Sequence, residues 1–336
     1  MNYREEKEKS KQFKKEYLDG IEALIRKREK ACEQERNLYI KDIFKNQDKY
    51  REDLKKLLGW PLSDYEYKDI PKTKSEMLSD EDNYSIYRMS FEILDNVWLS
   101  GLLFKKDNQR RPMVIVQHGG LGTPELISGV YGDTANYNNM LQRVICHDMN
   151  AFAPQLLIWD QKEYELDFNR QEIDARLKRI GSSVTAIEIF GIIRIIDWFE
   201  AQNYVKNFGM VGLSYGGFYT LFASALETRI KSAVSCSFFN DRSTIPWSDW
   251  IWRDAAKKFF DAEIACLVYP REICIEVGDK DSLFEVNNAK NEWERLKNIT
   301  TEVGTDWLQF VIFDGEHEFC KDDGPIKKMV QTLISE

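Results

Sequence analysis

Gly212-Leu213-Ser214-Tyr215-Gly216 follows the apolar pair Met210-Val211 and precedes a stretch rich in Ala and Leu. A G-x-S-x-G in that setting predicts a strand, a sharp turn and a helix, with the serine oxygen presented above the sheet edge. Strand and helix backbones then run so close that only glycine fits at the two flanking positions. A nucleophilic serine needs a base, and the chain offers three histidines, His118, His147 and His317. His317 stands in Phe313-Asp314-Gly315-Glu316-His317-Glu318-Phe319, just past an apolar run, where a loop can swing an imidazole over the serine. The base needs a carboxylate that holds its tautomer and stabilises the imidazolium formed during attack. Asp281, in Val277-Gly278-Asp279-Lys280-Asp281, is placed for that role, and Asp279 competes from two residues earlier. Asp281 is preferred because the chain must leave its strand and turn at Gly278 before a side chain reaches back.

Val116-Gln117-His118-Gly119-Gly120-Leu121 reads as a strand end running into a glycine-rich loop. Backbone N–H groups there can approach a developing oxyanion with no Cβ in the way. The oxyanion hole is expected at Gly120 and Tyr215, with Leu121 in reserve. His118 reads as the pin of this loop, and it joins Leu121, Trp159, Trp247 and Trp250 as a candidate for the substrate pocket. Trp247, Trp250 and Trp252 fall within six residues, a density that can wall an acyl or sugar-ring pocket or simply pack the segment onto the core. Asp160 is placed beside Trp159 facing the same site. His147, in Cys146-His147-Asp148, reads as solvent-facing at a helix end, with no companion ligands at metal spacing. The bland alternatives are that Ser214 is only a small residue in a tight turn and His317 a loop histidine.

These residues need elements to carry them. Residues 4–58 contain no Pro and one Gly, with Phe13, Tyr17, Ile21, Leu24 and Ile25 at helical spacing. This predicts an extension of two or three helices, assigned to 1–83, whose apolar stripe lies against the main domain or builds a homo-oligomer. From about residue 84 short β-rich runs take over. Tyr84–Leu94 and Val97–Phe104, joined by Asp95-Asn96, read as a hairpin. Met113–Gln117, Ala151–Leu157, Met210–Leu213, Ala233–Ser237, Ile273–Val277 and Leu308–Phe313 follow, separated by stretches long enough for helices such as Ser183–Ala201. The expectation is an α/β domain over 84–336, its mostly parallel eight-stranded sheet covered by helices on both faces, with a lid-like aromatic insertion at about 237–262.

From the HGG loop to the last histidine the chain resembles serine α/β-hydrolases of the dienelactone hydrolase-like and acetyl xylan esterase-like group. The resemblance spans roughly 84–336 and is carried by His118-Gly119-Gly120, Gly212–Gly217, Asp261-Ala262-Glu263-Ile264 through Pro270-Arg271, Gly278–Asp281 and Gly315–His317. The chain order Ser214, Asp281, His317 is the order of that superfamily. In these relatives the D-A-E to P-R stretch precedes the acid-bearing strand, which favours Asp281. True dienelactone hydrolases use a cysteine nucleophile, so their substrate does not carry over. The serine motif is also similar to that of prolyl oligopeptidases, which carry a large propeller absent from this sequence. The resemblance implies hydrolysis of short-acyl carboxylic esters through an acyl-enzyme, a small-molecule ester substrate and no cofactor or metal. A peptidase or amidase, and a catalytically silent scaffold of the same fold, are the alternatives.

Composition bounds the rest. Of 336 residues 43% are hydrophobic and 31% charged, no run is long and apolar enough to span a bilayer, and the first residues lack the apolar stretch of a secretory signal. The six cysteines are scattered with no CxxC pair, as expected of reduced thiols in a cytoplasmic protein. Residues 1–56 hold 17 Lys/Arg against 13 Asp/Glu, which leaves 30 against 43 in the acidic remainder. An arm with interleaved signs on a body that repels phosphate disfavours nucleic-acid binding.

Overall fold

The structure, a computed structural model, describes all residues except 1, 65, 67, 68, 134, 160–165 and 336. Its sheet has nine strands rather than the expected eight, in the order β1-β2-β3-β5-β4-β6-β7-β8-β9. The addition is β1 (Thr73–Asp80), antiparallel to β2 (Ser85–Leu94) and inside the stretch assigned to the helical extension. It escapes sequence reading because nearly all its residues are exposed, so an edge strand of this kind shows no period-two apolar pattern. The predicted hairpin forms between β2 and β3 (Val97–Lys105), with Asn96 at φ 62° in its turn.

β3 lies antiparallel to β5 (Asn150–Pro154), and from β5 onward the neighbours are parallel: β4 (Arg111–Gln117), β6 (Val205–Leu213), β7 (Ile230–Cys236), β8 (Glu272–Gly278) and β9 (Leu308–Phe313). Successive residues of a strand face opposite sides, and β4 shows the consequence. Met113 and Ile115 enter one core while Val114 and Val116 enter the other. A sheet buried on both faces therefore reads as a continuous apolar run. The chain order reverses around β4, which lies between β5 and β6. In open parallel sheets the crevice at the strands' carboxyl ends beside such a reversal is where ligands bind.

The helices are α1 (Lys7–Tyr39), α2 (Gln47–Leu58), α3 (Pro124–Ser128), α4 (Met140–Ile145), α5 (Arg170–Arg179), α6 (Val184–Glu200), α7 (Tyr215–Leu226), α8 (Asp261–Cys266), α9 (Val286–Ile299) and α10 (Gly324–Ser335). One core collects α2, α6, α7, α8 and α9, and the other α3, α4 and α10. α6 starts where expected because Ser183 caps it, its side chain accepting from the Ala186 amide. Cys236, Cys266, Cys274 and Cys320 are buried free thiols, whereas Cys146 is exposed. No described helix is long and apolar enough to cross a membrane.

The extension divides in its behaviour. Tyr50, Leu54 and Leu58 of α2 are buried in the main core, and Arg51 reaches the carbonyls of Ala225 (3.1 Å) and Leu267 (2.9 Å). Those carbonyls lie at helix ends, where an arginine satisfies acceptors the helix cannot. The first part of α1 stands away from the body, with Phe13, Tyr17, Leu18, Leu24 and Ile25 exposed. Leu54→Ala is expected to lower the unfolding free energy by about 3 kcal/mol in denaturant titrations, and Leu18→Ala by less than about 0.5 kcal/mol. Similar losses from both would contradict this division.

Candidate active site

Ser214 sits between β6 and α7 at φ 60°, ψ −120°, in the sharp turn that the sequence predicts. The glycines around it are sterically required. A Cβ on Gly212 would overlap the Gly216 backbone, one on Gly216 the Gln117 carbonyl oxygen, and one on Gly217 the Cys236 carbonyl oxygen. The Ser214 amide donates to Cys236 O (2.9 Å) and its carbonyl accepts from Phe218 N (2.9 Å). The side chain is half-buried, and Oγ has no hydrogen-bond partner among the described residues.

The structure brings His317 to Asp281. Imidazole Nδ1 lies 2.8 Å from Asp281 Oδ2, while Asp281 Oδ1 accepts from the amides of Leu283 (2.8 Å) and Phe284 (3.0 Å). Asp281 is buried and His317 partly open. Asp279 has a different task, accepting from the Gly315 amide (3.1 Å) and so closing the base of the histidine loop. The same loop is fastened at its far side, where Ser237 Oγ donates to Glu318 O (3.1 Å) and Asn136 Nδ2 to His317 O (3.1 Å). Ser214 and the histidine loop thus share one anchor, the end of β7.

The glycine-rich loop lies against Ser214, since a Cβ on Gly119 would stand 3.2 Å from the Ser214 Cβ. Its amide donates to Tyr137 Oη (2.8 Å), and the Gly120 carbonyl accepts from Trp159 N (3.0 Å). His118 is completely buried, which removes it from the pocket lining and leaves it as the pin of the loop. Its Nε2 accepts from the Leu156 amide (3.1 Å), so Nδ1 carries the proton and donates to Gly119 O (2.9 Å). Burial pushes its pKa down to about 4, and the imidazole stays neutral. Tyr215 opens α7, where the first N–H groups have no acceptor within their own helix.

The aromatic candidates separate. Trp159, Trp247 and Phe284 form an arc toward His317, with ring centroids 6.0 Å apart for Trp159–Trp247, 5.6 Å for Trp247–Phe284 and 5.7 Å for Phe284–His317. Leu121 is exposed at the loop tip. Trp250 is fully buried, packed on Tyr215 (4.5 Å) and Phe218 (4.8 Å), and does not line an opening at Ser214. Asp160 lies outside the described residues. His147 lies just past the end of α4, the helix-end position expected, but it is half-buried rather than facing solvent.

Sequence reasoning did not single out the ionic cluster behind this wall. Arg170 Nε binds Asp249 Oδ2 (2.8 Å), which also accepts from Tyr215 Oη (2.9 Å). Arg170 Nη2 reaches Glu188 Oε2 (3.0 Å) and Tyr219 Oη (2.7 Å), and Glu188 Oε1 accepts from the Leu157 amide (2.8 Å). α5, α6, α7, the segment before Trp159 and the turn between Trp247 and Trp250 are thereby locked together. Beneath the acid loop a second buried acid, Glu276 of β8, lies beside Cys236, and burial pushes its pKa up to about 8. No group of side chains that could hold a metal occurs among the described residues.

A mostly parallel sheet with a strained serine turn after β6 and an acid and a histidine after β8 and β9 is the α/β-hydrolase fold, and solved structures agree. A protein assigned as an acetyl xylan esterase from Bacteroides fragilis superposes with a TM-score of 0.64 at 16% identity, covering 80% of this chain and 75% of its own. The glucuronoyl esterase from Solibacter usitatus gives 0.59 at 12% identity, over 87% of this chain and 92% of that one. Acetyl xylan esterase 1 from a Thermoanaerobacterium species gives 0.56 at 15% identity, over 85% and 93%. No protein-family model and no curated protein sequence matches the chain.

Glu276 sets a pH dependence of stability. Its folded pKa lies above its ordinary value, so the folded state binds more protons than the unfolded state between pH 4.5 and about 8. Stability is then full below that window and falls as pH rises through it. Between pH 5 and pH 8 wild type is expected to lose up to about 4 kcal/mol from this group. Glu276→Gln should show a flatter profile in denaturant titrations at the two pH values, and identical profiles would refute the assignment.

Proposed function

We propose that the protein is a serine hydrolase of short-acyl carboxylic esters, with Ser214 as nucleophile, His317 as base and Asp281 as the carboxylate that orients the base. The observation that carries this reading is the 2.8 Å contact from His317 Nδ1 to Asp281 Oδ2, which directs Nε2 away from the carboxylate. The fold shared with acetyl xylan and glucuronoyl esterases supports an ester over an amide substrate.

In this reading His317 Nε2 takes the Ser214 proton as Oγ adds to the ester carbonyl carbon. The amides of Gly120 and Tyr215 receive the resulting oxyanion, which collapses as His317 returns the proton to the departing alcohol. Water then adds to the acyl-serine with the same base, releasing the carboxylic acid and restoring Ser214. Asp281 keeps its charge throughout and stabilises the imidazolium. Trp159 and Trp247 give the acyl or alcohol group an apolar wall next to the reacting carbon.

Hydrolysis of p-nitrophenyl esters from acetate to octanoate tests this. Activity should be highest on the shortest esters. Ser214→Ala should lower kcat about 10⁴-fold or more and Asp281→Asn about 10³-fold or more, while Asp279→Asn stays within roughly fivefold. Equal losses from the two aspartate variants would reassign the acid. No turnover of any ester by folded wild type would favour the silent scaffold, or a peptidase if a peptide panel is cleaved.

A further inference from the structure

The chain enters α4 through a bend in which Ala135 (φ 41°), Asn138 (φ 47°) and Asn139 (φ 57°) hold the left-handed backbone. Asparagine visits that region readily and alanine does not, so the bend at Ala135 persists only where surrounding contacts hold it. Those contacts reach both of the loops that flank Ser214.

On one side stands the glycine loop. Tyr137 is buried, and its Oη accepts from the Gly119 amide (2.8 Å). The Gly119 carbonyl accepts in turn from His118 Nδ1 (2.9 Å) and from the Gly122 amide (3.2 Å). Held at both its N–H and its C=O, this otherwise freest of residues keeps its two backbone torsions. In a trans peptide the N–H lies opposite the C=O, so the Gly120 amide is aimed away from His118 and Gly122. A Cβ on Gly122 would overlap the Tyr137 hydroxyl, which therefore fills the inside of the loop's turn.

The residues on either side of Tyr137 hold the histidine loop. Asn136 Nδ2 donates to His317 O (3.1 Å), and Asn136 O accepts from the Phe319 amide (2.8 Å). Asn138 Nδ2 donates to Phe319 O (2.6 Å) and to Glu318 Oε2 (2.8 Å). Phe319 is fully buried, so a backbone group released there would be left without a partner at considerable cost. Arg143 extends the grip within α4, donating to Cys320 O (2.6 Å) and Asp322 O (2.8 Å) while its guanidinium lies 5.1 Å over Phe319.

We propose that Asn136-Tyr137-Asn138 is a positioning bridge that fixes the Gly120 amide and His317 relative to each other, Tyr137 acting through Gly119 and Asn138 through Phe319. The inference rests on the serine-hydrolase reading above, in which oxyanion donor and base must meet one substrate carbonyl together. Their loops leave β4 and β9, which the sheet separates by β6, β7 and β8. The bridge links the two loops directly. Its effect falls on the transition state, because oxyanion and imidazolium form only there.

Hydrolysis of p-nitrophenyl acetate by wild type, Tyr137→Phe, Asn138→Gly and the double variant tests the bridge. Tyr137→Phe keeps the ring and loses the hydroxyl, and Asn138→Gly removes the side-chain amide while leaving the left-handed backbone accessible. Each should lower kcat about tenfold or more while KM stays within about twofold. The double variant should lose little more than the more impaired single one, because one broken link already frees the loops from each other. Independent packing roles would instead multiply to about a hundredfold. In an enzyme that hydrolyses the ester, three results would each overturn the inference: a kcat within about twofold of wild type in either single variant, a KM that rises as much as kcat falls, or multiplied losses. If Tyr137→Phe does not fold, the kcat and KM of Asn138→Gly decide alone. Folded wild type that neither turns over the ester nor takes a fluorophosphonate on Ser214 would defeat the serine-hydrolase reading itself, and the inference with it.

Discussion

The backbone of Ser214 is the constraint on which the rest depends. A non-glycine residue at φ 60°, ψ −120° costs about 1–3 kcal/mol and persists only where its surroundings leave no alternative. Here they do so by contact on three sides. β6 and α7 approach so closely that Gly212 and Gly216 admit no Cβ, β4 closes the second side through Gln117, and β7 the third through Cys236. The strain is the means by which one hydroxyl is lifted out of a buried strand–helix junction. Any loosening of the central sheet would let Ser214 relax into the helix that follows it.

Around that turn the polar interactions divide the labour. His118, held neutral in one tautomer between two backbone groups, shapes the glycine loop without contributing a charge to the site. Arg170 does the opposite, placing a buried charge where Glu188, Asp249 and two tyrosine hydroxyls converge. Buried ion clusters add little net stability compared with apolar packing, but each member has few alternatives to its partner. Such a cluster suits a junction of five segments, because the segment carrying Trp247 then has a defined position relative to α7 rather than sliding on an apolar surface.

What was legible in the sequence follows from locality. The serine turn, the glycine loop and the histidine loop are each written in five to seven consecutive residues, because glycines and strand ends act on their immediate neighbours. The parallel strands were legible because burial on both faces leaves continuous apolar runs. β1 was not, since an exposed edge strand imposes no pattern on its side chains. Arg170 was not either, as its partners Glu188 and Asp249 lie 18 and 79 residues away. Trp247 and Trp250 are alike in sequence. Only the 3-10 turn between them sends one to the arc near His317 and the other into the core.

The two ends of α1 belong to different thermodynamic regimes. Near Arg36 the helix is held to the body through a buried side chain, so its amides there open less readily than those of the free end. Toward Lys7 the helix has solvent on all sides, and a helix without tertiary contacts is marginal in water. Protection of the amides therefore rises along one continuous helix from its free end toward its docked end. The helix melts from its free end inward like a zipper, and the docked turns act as the nucleus from which it winds again.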